Sequence, residues 1–316
     1  VTAADVAPGR VLHVEAVGPL ATVQDLGRPG LASLGVSRSG AADRAAARRA
    51  NRLVGNPEGT AVLEALLGGL VVIAGEAHLV AALTGASCPA SVDVRPVALD
   101  AVLDLSPGAR LRLGTATAGL RCYLAVRGGL VVPPVLGSRS RDTLAGLGPP
   151  PVRAGDVLPV GPAPAGWPTI EVVPAAGVPD LDDVVELRAV PGPRADWLDD
   201  DAVEALWSCE WTVAAASDRV GLRLAGPALV RAADRREAEL PSEGLVRGAV
   251  QVTPEGPVLF LADHPVTGGY PVAAVVLDRD VDLAGQVRPG QRLRLIRATM
   301  PGPRRRPDLT DAWWGW

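Results

Sequence analysis

Apolar residues in this chain come in short runs, and Gly, Pro and polar turn residues interrupt them every few positions. Such punctuation predicts strands rather than long helices. In the first half, strands are expected at residues 11–17, 31–37, 63–67, 70–73, 79–83, 103–105, 110–113, 122–126 and 130–132. In the second half they are expected at 169–173, 184–190, 217–224 and 293–296. The clearest stretch is 248–271. Val250 and Val252 alternate with Gln251 and Thr253, Pro254-Glu255-Gly256 makes a turn, and 258–262 is a continuous apolar run suited to a buried strand. Two segments read as helices. Residues 39–54 carry strong helix formers at 41–50, with Ser39 as N-cap, Gly55 as the stop, and Leu53 and Val54 as anchors to a core. Within 193–209, Leu198, Ala202, Leu206 and Cys209 share one face, and Asp199-Asp200-Asp201 sit near the start, where the helix dipole favours acids.

The pattern divides the chain. PGARLRL at 107–113 returns as PGQRLRL at 289–295, and GPAPAGWP at 161–168 has the composition of a linker. Two β lobes are therefore expected, 1–162 and 168–298, followed by a Pro- and Arg-rich tail at 299–316.

Composition sharpens this picture. Aromatics make up only 3% of 316 residues, so Val, Leu and Ala must build the core, and the 36 Gly and 30 Pro favour a β-rich protein. A net charge of -4 argues against nucleic acid as a partner. No apolar run reaches the roughly 18–20 residues of a membrane span, the longest candidate being broken by Gly68, Gly69, Gly75, Glu76 and His78. The opening VTAADVAPGR lacks the basic-then-apolar pattern of a signal peptide, and three cysteines without a CxxC read as reduced thiols, so a cytoplasmic location is expected. The chain has no lysine, which excludes a Walker A loop, a Schiff-base lysine and covalent biotin on this chain. Three His without metal-ligand spacing imply no metal site.

Candidate chemistry gathers in polar loops beside strands. Asp25 and Arg28 lie in TVQDLGRPG, Arg139 and Ser140 in GSRSRD, and Asp218 and Arg219 in SDRVGLRL. Asp263, His264, Thr267, Gly268, Gly269 and Tyr270 follow the buried strand at 258–262. Asp25, Asp263 and His264 are the candidate bases or orienters. Arg28, Arg139 and Arg219 are candidate anion holders, with Ser140, Asp218, Gln251, Thr267 and Tyr270 as further substrate contacts. The N–H groups of Gly268-Gly269 are placed to cradle an oxyanion.

Longer motifs carry a resemblance. TVQDLGRPG, GVSRSGAAD, ANRLVGNPEG, YLAVRGGL and LGSRS in the first half, and SDRVGLRLAGP, PSEGLVRGAVQVTPEGPVLFLAD and TGGYP in the second, resemble the KipA-like, or allophanate hydrolase subunit 2, family over about residues 10–297. That family includes the C-subunit of prokaryotic ATP-dependent 5-oxoprolinase and half of the carboxyltransferase region of urea amidolyase. The resemblance implies two cyclophilin-like β-barrel lobes and a KipI-like partner, the B-subunit of the complex, alongside a homologue of its A-subunit. It also implies ATP as a cofactor of the complex and a small amide or lactam as substrate. A chain of this length without lysine is too short for biotin carboxylase, carrier and both transferase halves, which favours the 5-oxoprolinase branch over urea carboxylase. Carboxyl transfer from carboxybiotin to urea, or regulation by binding a KipI-like inhibitor, are the alternatives within the family. Some branches carry Gln-Thr where this chain has Pro265-Val266. Asp25 or Arg28 is expected to share one cleft with Asp263 and Thr267, lined by residues 217–219. On that view Asp263→Asn spares folding and cuts turnover by at least about 10²-fold.

Overall fold

The computed structural model describes residues 7–167 and 177–299. The expected strand at 169–173 and the tail from residue 300 lie outside the described residues. The chain is mainly β. In the first half a six-stranded sheet runs, in pairing order, Val157–Pro159, Val11–Val17, Leu70–Ala74, Arg110–Leu113, Ala90–Val92, Arg95–Val97. A five-stranded sheet runs Leu20–Gln24, Val62–Leu66, Ala118–Val126, Leu79–Ser87, Val102–Leu105. The two sheets enclose a core of Val, Leu and Ala that includes Leu12, Leu63, Leu83, Leu111 and Leu124. The second face of the five-stranded sheet is covered by α1, Arg44–Leu53, whose Ala46, Ala47, Ala50 and Leu53 pack on Val62, Val80 and Tyr123. Covered on both faces, Ala118–Val126 is buried at every position, Arg121 included, and its segment from Cys122 to Val126 shows no polar alternation.

The second half closes as a seven-stranded barrel: Val184–Pro191, Val272–Val276, Ala249–Thr253, Gly256–Phe260, Gly221–Ala225, Trp211–Val213 and Arg292–Arg297. Arg292–Arg297 pairs in parallel with Val184–Pro191 and completes the ring. Val185, Leu187 and Ala189 point inward, while Glu186 and Arg188 point out. Helix α2, Asp200–Ser208, caps its first turn with the Asp199 carboxylate and buries Ala202 and Leu206 against the barrel core. The repeated phrase is one local device used twice. Gly108 and Gly290 both turn with φ positive, and Leu111, Leu113, Leu293 and Leu295 are all buried on the strands that follow.

Three local readings change. Residues 31–37 form no strand. Gly30 and Gly35 are both left-handed, and the segment between them tightens into a short 3-10 turn at Ala32–Leu34. Residues 130–132 contribute only a single bridge, Leu130 to Val160, because left-handed Gly128 and Gly129 precede them and two prolines follow. Helix α1 begins at Arg44, not near Ser39. Its N-cap is Asp43, whose carboxylate accepts from Ala46 N at 2.8 Å. A third helix, α3 at Asp278–Ala284, was not expected; its Asp278 and Asp280 in the first turn and Gly285 after its end were the available signal.

This third helix helps join the two halves. Asp282 accepts from Arg44 N at 2.9 Å. Gln286, just beyond α3, accepts from Leu120 N and Arg121 N and donates to Asp43 and Arg121 O. Burial forces Asp43 up to about 6, and repulsion from Asp282 adds to it.

Candidate functional site

Two loops that hold predicted site residues leave the sheets at the join between the halves. The first follows Leu20–Gln24 and begins with Asp25. Its carboxylate accepts from Ser138 Oγ at 2.6 Å, Ser140 Oγ at 2.5 Å, Gly27 N at 2.7 Å and Arg139 N at 2.7 Å. Both oxygens are thus occupied by neutral donors, and Asp25 pins the 138–140 loop. The backbones of 25–28 and 38–41 pack directly together. A Cβ on Gly27 would lie 2.2 Å from Arg38 O, and both Gly27 and Gly40 are left-handed. Ser39 is left-handed too, with φ 54°, and turns its hydroxyl to Asp263 at 2.6 Å.

Asp263, at the end of the second loop's strand, is wholly buried. Besides Ser39 it accepts from Thr143 N at 2.9 Å and Oγ1 at 2.7 Å, and from Arg219 Nε at 2.9 Å and Nη2 at 3.1 Å. Burial pushes its pKa up, but the Arg219 charge and these hydrogen bonds outweigh burial and hold the carboxyl below its ordinary value. Arg219 also pairs with Glu64 through Nη1 and donates to Gly40 O at 2.6 Å. Glu64 accepts from Ala42 N and from Tyr123 Oη, both at 2.9 Å. Glu64, Arg219 and Asp263 therefore form a buried ionic tie between the sheets and the barrel. The expectation that Asp263 serves as an accessible base is corrected by this geometry. It has no exposed oxygen, and Asp263→Asn would disturb the tie that holds the fold.

On one side of this tie a cleft opens between the halves. Arg28, Arg38 and Arg44 line it from the first half, and Arg247, His264, Val266 and Asp278 from the second. Its volume is about 390 Å³. Arg44 and Arg247 share Asp278, at 3.4 and 2.8 Å, and Arg247 also holds Asp282 at 2.7 Å. Burial and the neighbouring Arg247 and Arg38 charges lower Arg44 to about 10. Burial and the same kind of positive surroundings, Arg44 and Arg247, depress His264 and keep it neutral at pH 7. Its Nδ1 lies 2.7 Å from the Pro265 carbonyl. A carbonyl only accepts, so Nδ1 carries the proton and Nε2 is the basic nitrogen.

A second cavity of about 380 Å³ has other walls: Glu64, Arg121, Thr143, Ser217, Asp218 and Arg219, with Leu20, Leu66 and Leu120. Loops 22–30 and 263–271 thus share the arginine cleft through Arg28 and His264; Asp25, Asp263 and Thr267 do not line it, and residues 217–219 face this other cavity, so the expected common cleft is not formed. Asp218 is exposed and caps its own turn by accepting from Val220 N at 2.8 Å.

The remaining predicted residues stand apart from the arginine cleft. Arg139 is half-buried, and its Nε donates to Val132 O at 2.9 Å. Ser140 serves Asp25. Gln251 is buried on the barrel wall and donates to Tyr270 O at 3.0 Å. Thr267–Gly268 pairs with Glu243–Gly244 as a two-stranded ribbon, and Tyr270 is exposed. Neither Gly268 nor Gly269 has a positive φ. Gly268 is needed for close approach, since a Cβ there would lie 2.5 Å from Gln251 Nε2. The Gly-Gly pair packs on the barrel and faces neither cavity. Sequence reasoning missed Arg38, Arg44 and Arg247 in the cleft and Glu64 in the tie; Arg38 and Arg247 stood inside the recognised motifs GVSRSGAAD and PSEGLVRGAV. Among the described residues no group of three or more His, Cys, Asp or Glu is arranged to hold a metal, and no helix is long and apolar enough to cross a membrane.

Comparison with known proteins places this geometry among relatives. A family model for the carboxyltransferase domain, subdomains A and B, matches residues 34–297. The chain is similar to the 5-oxoprolinase C-subunit of Escherichia coli (strain K12), 38% identical over 294 residues and 92% of both chains. It is similar to the 5-oxoprolinase C-subunit of Haemophilus influenzae at 35% identity over 87% of both. Among solved structures, the K. lactis urea amidolyase superimposes with a TM-score of 0.86 at 28% identity, over 92% of this chain but 19% of that one.

Proposed function

Starting from a chain that belongs to the carboxyltransferase domain family, we propose that it acts as the C-subunit of an ATP-dependent 5-oxoprolinase, opening 5-oxoproline to glutamate. The observation that carries this reading is the near end-to-end match, at 38% identity, to a 5-oxoprolinase C-subunit of similar length. The urea amidolyase likeness covers only about a fifth of a much longer protein. In this reading the chain is active only with a KipI-like B-subunit and a homologue of the A-subunit, in the cytoplasm, where Cys88, Cys122 and Cys209 stay unbridged.

The arginine cleft is the part of the chain suited to such a substrate. Opening a lactam builds negative charge on the carbonyl oxygen, and prearranged cations stabilise that charge without reorganisation. Arg28 and Arg38 supply it from the first half and Arg247 from the second. Neutral His264, with Nε2 unprotonated, accepts a proton from the attacking water. ATP, when bound in the complex, supplies the phosphoryl group that activates the lactam. Biotin chemistry on this chain is limited to receiving a carrier from elsewhere, since there is no lysine to modify.

The test combines this chain with its two partner subunits from one genome and follows ATP hydrolysis and glutamate release with 5-oxoproline. Turnover is expected only from the complete mixture. Full turnover by this chain alone removes partner dependence. An inactive mixture that instead moves a carboxyl group from carboxybiotin to urea establishes the second reading, which the urea amidolyase superposition favours.

A further inference from the structure

A guanidinium buried without a counter-charge is costly, and chains keep such groups where a ligand brings the charge. Arg28 is 2% exposed. Its Nη2 donates to Ser140 O at 2.5 Å and its Nε to Val135 O at 3.4 Å, while Nη1 has no partner. Both partners are neutral carbonyls. Arg38, half-buried on the same wall, donates through Nε to Leu26 O at 3.1 Å, again a carbonyl. Among the described residues neither arginine has a carboxylate within ion-pair distance. Arg44 and Arg247 are ion-paired with Asp278 and Asp282, and Arg38 acts on Asp278 only through its charge at longer range, so the cations without an ion-pair partner are Arg28 and Arg38. The one carboxylate lining the cleft is Asp278, whose side chain is 72% exposed and held by Arg247. Asp25, beneath the Arg28 loop, has both oxygens committed to Ser138, Ser140, Gly27 and Arg139.

We propose that this cleft binds a doubly negative tetrahedral oxyanion, a phosphate or phosphoryl group, with Arg28 and Arg38 as its counter-charges. Two guanidinium charges whose own contacts are only neutral carbonyls match two negative charges, which a single carboxylate does not supply. Neutral His264 faces the same space and takes a hydrogen bond from a protonated phosphate oxygen. The 390 Å³ of the cleft holds such a group with room for what is attached to it. The site deepens the functional reading above, on which it rests only for the source of the phosphoryl group: free phosphate, a nucleotide or a phosphorylated substrate.

Isothermal titration of the purified full chain tests this without any turnover. Inorganic phosphate and sulfate are expected to bind, and Arg38→Gln is expected to weaken phosphate by at least about tenfold. Arg28→Gln does the same where it folds; Arg38 is half-exposed, so its variant keeps the test open if Arg28→Gln does not fold. Arg112→Gln, on an exposed position of the six-stranded sheet, leaves binding unchanged. ATP binding tighter than phosphate and lost in Arg38→Gln assigns a nucleotide as the source; phosphate binding without ATP binding assigns free phosphate or a phosphorylated substrate. No phosphate binding up to about 10 mM, a weak limit for a specific site, overturns the proposal, as does equal affinity in wild type and Arg38→Gln. Acetate or 5-oxoproline binding in preference to phosphate overturns the dianion assignment. Phosphate binding in a chain whose assembled complex never opens 5-oxoproline keeps this site and removes the functional reading. Turnover without phosphate binding does the reverse.

Discussion

Arg219 and Arg28 are buried to nearly the same degree, only 3% and 2% exposed, within loops that meet at one join. Their surroundings differ completely. Arg219 sits between Glu64 and Asp263, and its contacts to Glu64 and Gly40 O tie the barrel to the sheets. Arg28 holds two backbone carbonyls and, among the described residues, meets no carboxylate. Burial alone therefore does not mark an arginine as structural or functional. The distinction lies in whether the protein itself supplies the opposing charge. A fully paired buried arginine is part of the scaffold, and one left unpaired is poised for an anion.

The largest effect should come from breaking the paired member. Arg219→Met strands Glu64 and Asp263 in the interior and is expected to cost about 3–5 kcal/mol, read by urea unfolding. Arg28→Met strands no carboxylate and should cost only about 1–2 kcal/mol, the scale of lost hydrogen bonds. Equal losses in the two variants would erase the comparison.

Acidity sharpens it next, through two buried carboxyls of opposite sign. Asp263 is held below its ordinary value, so its stabilisation is present above the unfolded value of 3.8 and is lost as pH falls through the folded one. Asp43 is raised to about 6, so its contribution is present below 3.8 and is lost as pH rises through about 6. Thermal unfolding followed from pH 3 to 7 should show both slopes. Asp43→Asn is expected to remove the decline between about pH 4 and 6 while leaving the acid limb. A decline unchanged by Asp43→Asn would assign that slope to another group.

The smallest effect is expected at Gly268, where the sequence suggested an oxyanion cradle. Gly268→Ala places a Cβ against Leu245 Cδ1 and Gln251 Nε2, so that the Gln251 side chain must shift from Tyr270 O, and should cost about 1 kcal/mol. Its turnover in the assembled complex should match wild type. A fall of tenfold or more would return the Gly-Gly pair to the reaction.

Much of the fold was legible locally. Strands such as Arg110–Leu113 and Val184–Pro191 alternate inward Leu and Val with outward Arg and Glu, and that alternation is a property of a few adjacent residues. The recurring Pro-Gly turn before Arg-Leu-Arg-Leu was legible for the same reason. The misread segments were those where glycine in the left-handed region overrode an apolar run, as at 31–37 and 130–132. Helix α1 was visible from its alanines, but its first residue depended on whether Ser39 or Asp43 capped it. Ser39 and Gly40 are both left-handed, which bars a helix from starting there, and the Ser39 hydroxyl is committed to Asp263 from 224 positions away.

The sequence by itself determined the mainly β architecture, the motifs shared with the carboxyltransferase family, and the two loops, 22–30 and 263–271, that would approach the join. Only the tertiary structure decided what each polar residue does there. Periodic burial is written within a segment, because one face of a strand or helix repeats at a fixed spacing. Charge pairing is not, because the partner that neutralises a buried group arrives from elsewhere in the chain. Glu64 and Asp263 reach Arg219 across separations of 155 and 44 positions, and among the described residues nothing comparable reaches Arg28. That unpaired charge comes from packing rather than from any local pattern, and it sets the anion-ready cleft apart from the buried tie beside it.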